Sequence, residues 1–292
     1  PRLGERDLVL GVAVRERLER GGRVLRGGFA LAREQRDERA EAVAFLEWLL
    51  DDHFTFLGYE CFAINEGLPE QRLGLRTDAS LGALALNPRD ENLEGLPDTV
   101  TAYLQAPLLL SFAKASQLSR VHRPAYPDYV SVREVDADGN VLLEHRFMGL
   151  YTSRVYSALV DHIPHVRRKV AYVREVSGFI PRSHLAKELE QVLQVLPRDD
   201  LFQTPVDELA QTAIAIVQMQ ERNQIRVFLR RGNYGRFYYC LAFVPRDVYS
   251  TDIRRTIQEV LTRRVEASVA RALVAAPSLA AAAATAAAAT AT

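Results

Sequence analysis

The chain has 292 residues, enough for two domains with cores of their own. Hydrophobic residues make up 48% and charged residues 25%, an ordinary globular composition. The formal net charge is zero, so no whole-chain field draws it to nucleic acid or to an anionic membrane surface. Lys114, Lys169 and Lys187 are the only lysines among 37 basic residues, so arginine covers the surface in place of lysine. Cys61 and Cys240 lie far apart in predicted strands. That suits buried, reduced thiols in a cytoplasmic protein better than a disulfide framework. No secretory leader and no long apolar span are read, and the start at Pro1 reads as a piece of something longer.

Residues 1–38 read as a linker or the end of a preceding domain, with Asp7 to Arg17 a strand or short helix and glycine pairs at 21–22 and 27–28. Arg36 to Asp52 reads as a helix whose stripe is Ala42, Phe45, Leu46, Leu49 and Leu50. Phe54 to Ile64 switches to strand character, broken by Gly58. Residues 65–98 are loop-rich, with a short strand expected at Ala83 to Leu86, and Ala106 to Lys114 reads as a buried strand. Tyr129 to Val135 and Val141 to Tyr151 alternate with a period of two. The residues between them, Asp136-Ala137-Asp138-Gly139-Asn140, tolerate positive φ and predict a hairpin.

From Asp161 the period lengthens. Pro164 stands where a first helical turn would begin, and Val166, Val170, Val173 and Val176 step by four and three. Ser183 caps a second helix to Leu196, striped by Leu185, Leu189, Val192, Leu193 and Leu196, which Pro197-Arg198-Asp199-Asp200 is expected to end. Thr204-Pro205 with Asp207 opens a third, its face holding Leu209, Ile214, Ile216 and Val217. Ile225, Val227 and Leu229 predict a strand, Gly232 to Gly235 a turn, and Phe237, Tyr239, Leu241 and Phe243 a second strand. Ser250-Thr251-Asp252 caps a helix with Ile253, Ile257, Val260 and Leu261 inward, and a strand is expected within Val265 to Val274. Helix, strand, strand, helix, strand is most of a ferredoxin-like βαββαβ unit without its first strand. Ala280 to Thr292 is alanine with scattered threonine and supports no reading.

The fold class expected is α+β: a PAS-like antiparallel-sheet domain at 39–160, a helical connector at 161–204, and an ACT-like (ferredoxin-like) α/β-sandwich domain at 205–279, ahead of the tail at 280–292.

Chemistry is sparse. No glycine spacing serves a dinucleotide pyrophosphate, and neither a P-loop nor a Gly-x-Ser-x-Gly elbow is present. His162 and His165 are three apart and could share a helix face, but no acidic or thiol partner is nearby in a usable pattern, so no metal is expected and Pro164 is read as holding them in a turn. His122, Arg123, Tyr126 and Tyr129 form the densest polar–aromatic cluster, suited to a carboxylate between aromatic walls. The competing reading is that Pro124 and Pro127 stiffen a strand entry and the tyrosines pack. Arg230, Arg231, Arg236 and Arg246 surround the second hairpin and suit an acidic ligand or a partner subunit, or else a solvated strand face.

Three runs carry a resemblance: Phe45-Leu46-Glu47-Trp48-Leu49-Leu50-Asp51-Asp52-His53-Phe54 continuing to Tyr59, Val121-His122-Arg123-Pro124 with Asp128-Tyr129, and Glu144 through Ser153. With Arg167-Arg168-Lys169-Val170, Ser177-Gly178-Phe179, Pro197-Arg198-Asp199, Gly235-Arg236-Phe237 and Val244-Pro245-Arg246-Asp247 in the same order, the chain from about Glu38 to Arg264 resembles the large class of bacterial NAD-specific glutamate dehydrogenases. The resemblance implies a place in the long segment ahead of the dehydrogenase domain, with PAS-like and ACT-like modules that regulate and assemble a homo-oligomer, a tetramer by analogy. It implies that the parent enzyme converts L-glutamate and NAD to 2-oxoglutarate, ammonia and NADH. It also implies that the catalytic lysines and the NAD site lie outside this stretch, so no catalytic, cofactor-binding or metal-binding residue is assigned. An amino-acid effector and the chain's own subunits are the partners expected, with no nucleic acid and no membrane. The alternative reading is a stand-alone amino-acid-binding sensor module.

Overall fold

The computed structural model describes residues 33–63, 74–75, 80–86, 103, 106, 108–119, 121–135, 140–219, 225–232, 238–245, 249–264 and 270–275. Expectations for 1–32, for the turn at 136–139 and for the alanine-rich tail lie outside them. The chain divides into two units, 1–157 and 158–292.

The first unit is an antiparallel sheet with one long helix. Helix α1 (Arg33–Trp48) buries Ala42, Phe45 and Leu46, as its stripe predicts, then relaxes into a wide turn, Leu49–His53, where Asp52 takes φ 55. Strands β1 (Phe54–Ala63), β2 (Gly74–Leu75), β3 (Leu81–Gly82), β4 (Leu110–Lys114), β5 (Asp128–Val135) and β6 (Val141–Tyr151) form a sheet in the order β2-β1-β6-β5-β4, with β3 also on β1. Gly58 does not end β1. It sits at a bulge, and a Cβ there would lie 2.9 Å from Leu84 Cγ, so glycine lets the neighbouring segment close in. Ala83–Leu86 is a single helical turn, not the strand expected from its apolar run, and a four-residue apolar run does not distinguish the two. The strand expected from Ala106 begins only at Leu110.

Cross-strand partners share a face. Tyr59, Phe147, Val130 and Phe112 line up on one face, and Phe45 of α1 meets Phe112 edge-on at 5.5 Å. The opposite face carries Glu60, Arg146, Ser131 and Ser111 in one row and Phe62, Glu144 and Arg133 in the next.

In the second unit, α3 (Val166–Ser177), α4 (His184–Val195) and α6 (Val206–Met219) pack together, with α2 (Ser153–Ser157) in the first unit and the short α5 (Arg198–Gln203) between α4 and α6. Val166, Val170 and Val173 are fully buried, worth about 1.5–3 kcal/mol each. Val176 and Leu185, expected on the buried stripes, are exposed, and each is the second residue from an end of its helix. Pro164 lies outside α3. Its carbonyl accepts from Val166 N at 2.8 Å, which forces His165 to φ 67 and delays the helix start by one turn residue. Ser183 caps α4 as expected, its Oγ accepting from Ala186 N at 3.1 Å.

Pro197-Arg198-Asp199-Asp200 does more than end α4: Pro197 is the N-cap of α5, whose first turn holds the two aspartates. Strands β7 (Arg226–Arg231) and β8 (Tyr238–Phe243) form an antiparallel hairpin, and β9 (Ala270–Ala275) pairs with β8 in parallel through α7 (Thr251–Arg264). Ala242 and Val244 pack against Ile253 and Ile257 of α7, whereas Val260 is exposed against expectation. Both cysteines are free and buried. No described helix is long and apolar enough to cross a membrane.

Candidate functional site

Two buried polar constellations stand out, one in each unit. In the first, Glu144 is fully buried and accepts from Arg133 Nε at 2.9 Å on one oxygen and from Arg146 Nη2 at 3.0 Å on the other. Arg146 also donates to Glu60 at 3.2 Å and lies 4.4 Å over the Phe62 ring. Arg133 Nη1 donates to the carbonyls of Tyr103 and Ala106. Burial disfavours the Glu144 carboxylate, but Arg146 and Arg133 outweigh it and hold its pKa below the ordinary value. On the other face His145 shares Tyr59 OH at 2.8 Å and Glu134 Oε1 at 2.6 Å, opposite Cys61 in register. Burial lowers its pKa, hydrogen bonding to Cys61 and Glu134 raises it more, and the result is about 9. At neutral pH the ring is therefore an imidazolium that donates to both oxygens.

The second constellation joins α5 to the hairpin. Arg230 of β7 donates from Nη2 to Asp200 at 3.2 Å and stacks 4.2 Å over Tyr239 of β8. The Tyr239 hydroxyl donates to Gln203 Oε1. Lys169 of α3 donates to the carbonyls of Leu201, Phe202 and Thr204, closing the C-terminal end of α5 where the helix dipole favours a cation. Burial, with Arg230 nearby, brings the Lys169 pKa down to about 7. Burial pushes the Asp200 carboxyl up, offset in part by Arg230. A cavity of about 380 Å³ opens beside these groups, lined by α5, α6, β7 and β8.

The residues singled out from sequence fall in different places. His122 and Arg123 are on an exposed loop, where His122 takes φ 63 and Arg123 Nη2 donates to the Tyr151 carbonyl at 3.0 Å. Tyr126 is half-buried, and Tyr129 is buried with Leu57, Leu84 and Met148. Arg230 lies in the second constellation, while Arg236 and Arg246 are outside the described residues. Sequence reasoning missed Asp200, Gln203, Tyr239 and Lys169 as a group. The usable signal was Lys169, one of three lysines in an arginine-rich chain. Among the described residues, no group of three or more His, Cys, Asp and Glu is placed to hold a metal ion.

Comparison with known proteins bears on the second constellation. Residues 163–222 match the glutamate dehydrogenase helical motif 1, and residues 226–285 match the glutamate dehydrogenase ACT2 domain. The Arg230–Asp200 and Tyr239–Gln203 bonds thus cross from one matched domain to the other. The NAD-specific glutamate dehydrogenase of Pseudomonas aeruginosa is 57% identical over 237 residues, 80% of this chain. That of Halomonas elongata is 43% identical over 79% of the chain, and that of Mycobacterium tuberculosis is 31% identical over 77%. The chain spans 14% of the length of the first two relatives and 13% of the third. The chain is thus related to a stretch of these NAD-specific glutamate dehydrogenases, and it matches the glutamate dehydrogenase helical motif 1 at 163–222 and ACT2 domain at 226–285.

Proposed function

We propose that this segment regulates and assembles an NAD-dependent glutamate dehydrogenase, one that oxidises L-glutamate to 2-oxoglutarate and ammonia in the cytoplasm, and that it holds none of the reacting groups. The observation that carries the reading is the pair of buried polar links between the helical motif and the ACT2 sheet. A buried ion pair is costly to break from one side, so a displacement of the hairpin must be followed by α5 or pay several kcal/mol. An effector or subunit contact that favours one position of the sheet therefore biases the helices as well, and through them a distant active site.

A PAS-like domain over 39–160 is part of the proposal, supported by an antiparallel sheet whose first strand lies between the second and the last. So are the connector expected to 204 and the ACT-like domain expected from 205, with the family match favouring a start near 226. In the second unit β9 pairs directly with β8, where a complete βαββαβ unit would insert its first strand. A homo-oligomer and an amino-acid effector complete the reading.

The test compares the full-length protein with a form lacking residues 158–285. The reading expects glutamate-dependent NAD reduction to persist in some form while assembly size or amino-acid response changes. Unchanged size and unchanged response would count against it.

A further inference from the structure

We propose that Cys61 is a nucleophilic thiol, activated by His145 and oxidised reversibly by hydrogen peroxide. Cys61 of β1 and His145 of β6 are direct cross-strand partners, so their side chains leave the sheet side by side, on the face that meets α1. The ring hydrogen-bonds to Cys61, to Tyr59 OH at 2.8 Å and to Glu134 Oε1 at 2.6 Å. Glu134 of β5 orients the imidazole and favours its charged form. A thiol, an imidazole and an orienting carboxylate are the parts an activated cysteine needs, because the thiolate is the nucleophile and a cation beside the sulfur favours it. The next residues across this row, Val132 and Leu110, are apolar. From α1, the half-buried charged residues among those described are Arg39 and Glu41, one of each sign.

Cys240 supplies the contrast within the same chain. Both sulfurs belong to residues only 3% exposed, but at Cys240 burial is the cause at work and pushes the thiol up to about 11. The open side of the Cys61 cluster is Glu134, whose side chain is 24% exposed. Such a narrow approach suits a reagent little larger than water, and hydrogen peroxide is one. In the step, the sulfur attacks one peroxide oxygen. The S–O bond forms and the O–O bond breaks, its electron pair leaving on the second oxygen, which takes a proton from the imidazolium and departs as water. Sulfur loses two electrons to become the sulfenic acid, and the peroxide is reduced. A small thiol reverses the change: its sulfur displaces water to form a mixed disulfide, and a second thiol molecule reduces that disulfide.

Hydrogen peroxide added to the 292-residue chain tests this, with peptide mass mapping to follow the oxygen gained at each cysteine. At neutral pH Cys61 should gain one oxygen at least roughly tenfold faster than Cys240, and a small thiol should remove it. Between about pH 8 and pH 6 an ordinary thiol slows roughly 75-fold, whereas Cys61 should slow by less than roughly tenfold. His145→Gln should slow Cys61 oxidation by at least roughly tenfold, and Glu134→Gln by at least roughly threefold. A merely structural role predicts the opposite sign, because looser packing exposes the thiol and speeds its oxidation. Trp48 fluorescence checks that each variant is folded. Should His145→Gln not fold, Glu134→Gln at the solvent edge decides the matter.

Oxidation of Cys61 no faster than that of Cys240 overturns the proposal. So does the pH dependence of an ordinary thiol, or a rate that is unchanged or faster in the folded variants. An added oxygen that no small thiol removes overturns the reversible step.

Discussion

Replacing Glu144 with Gln removes the central anion of the buried row in the first unit while keeping its shape. Glu144 and Glu60 balance Arg133 and Arg146, so the substitution leaves one buried guanidinium charge without a counter-ion. Breaking a buried pair from one side costs about 3–5 kcal/mol. Removing Arg133 as well restores the balance between Arg146 and Glu60. The double variant Arg133→Met with Glu144→Gln should therefore lose less than the sum of the single changes, by about 1–3 kcal/mol. Trp48 is the chain's only tryptophan, lies in the first unit and stacks on His53 at 4.1 Å, so its fluorescence during urea unfolding reports that unit. The depressed Glu144 pKa gives a second reading. Its contribution is present above the ordinary value of 4.5 and is lost as pH falls through the folded value, a loss the Gln variant should not show. A cost below about 1 kcal/mol for Glu144→Gln, or strict additivity in the double variant, would refute the charge-balance argument.

Gly149→Ala should cost about 3 kcal/mol or more in the same Trp48 assay, because the new Cβ would lie 2.3 Å from the Thr55 carbonyl oxygen and 2.4 Å from Phe54 Cε1. His145 has a folded pKa of about 9 against an ordinary 6.5. Its stabilisation of the first unit is complete below pH 6.5 and fades as pH rises to 9, by roughly 3 kcal/mol, and His145→Gln should flatten that slope. Ser183→Ala removes the α4 cap and should cost about 1 kcal/mol in the helical unfolding followed by circular dichroism.

Alternation along Tyr129 to Val135 and Val141 to Tyr151 was legible because each residue's face is set by a period of two, and β5 and β6 follow it. The valine and leucine steps of α3 and α4 were legible for the same kind of reason, except at Val176 and Leu185 near the helix ends, which are exposed. The buried row of charges was not legible. Glu144 and Arg146 alternate like an outer strand face, and only the register that sets Arg133 and Glu60 beside them, with the Tyr103 and Ala106 carbonyls on Arg133, marks it as interior. The Arg230 site was half legible. The arginine stood out, but Asp200 and Gln203 reach it across some thirty residues through a helix whose opening Pro197 was read as a stop.

The central claim is that the helical motif and the ACT2 sheet move as one regulatory piece through Arg230 and Tyr239. The most direct measurement is the assembly mass and amino-acid response of the full-length protein carrying Arg230→Met with Tyr239→Phe, read beside glutamate-dependent NAD reduction at saturating substrate. The account predicts a changed mass or a lost response while the reaction persists. Mass and response both unchanged, or a reaction abolished outright with assembly intact, would contradict it.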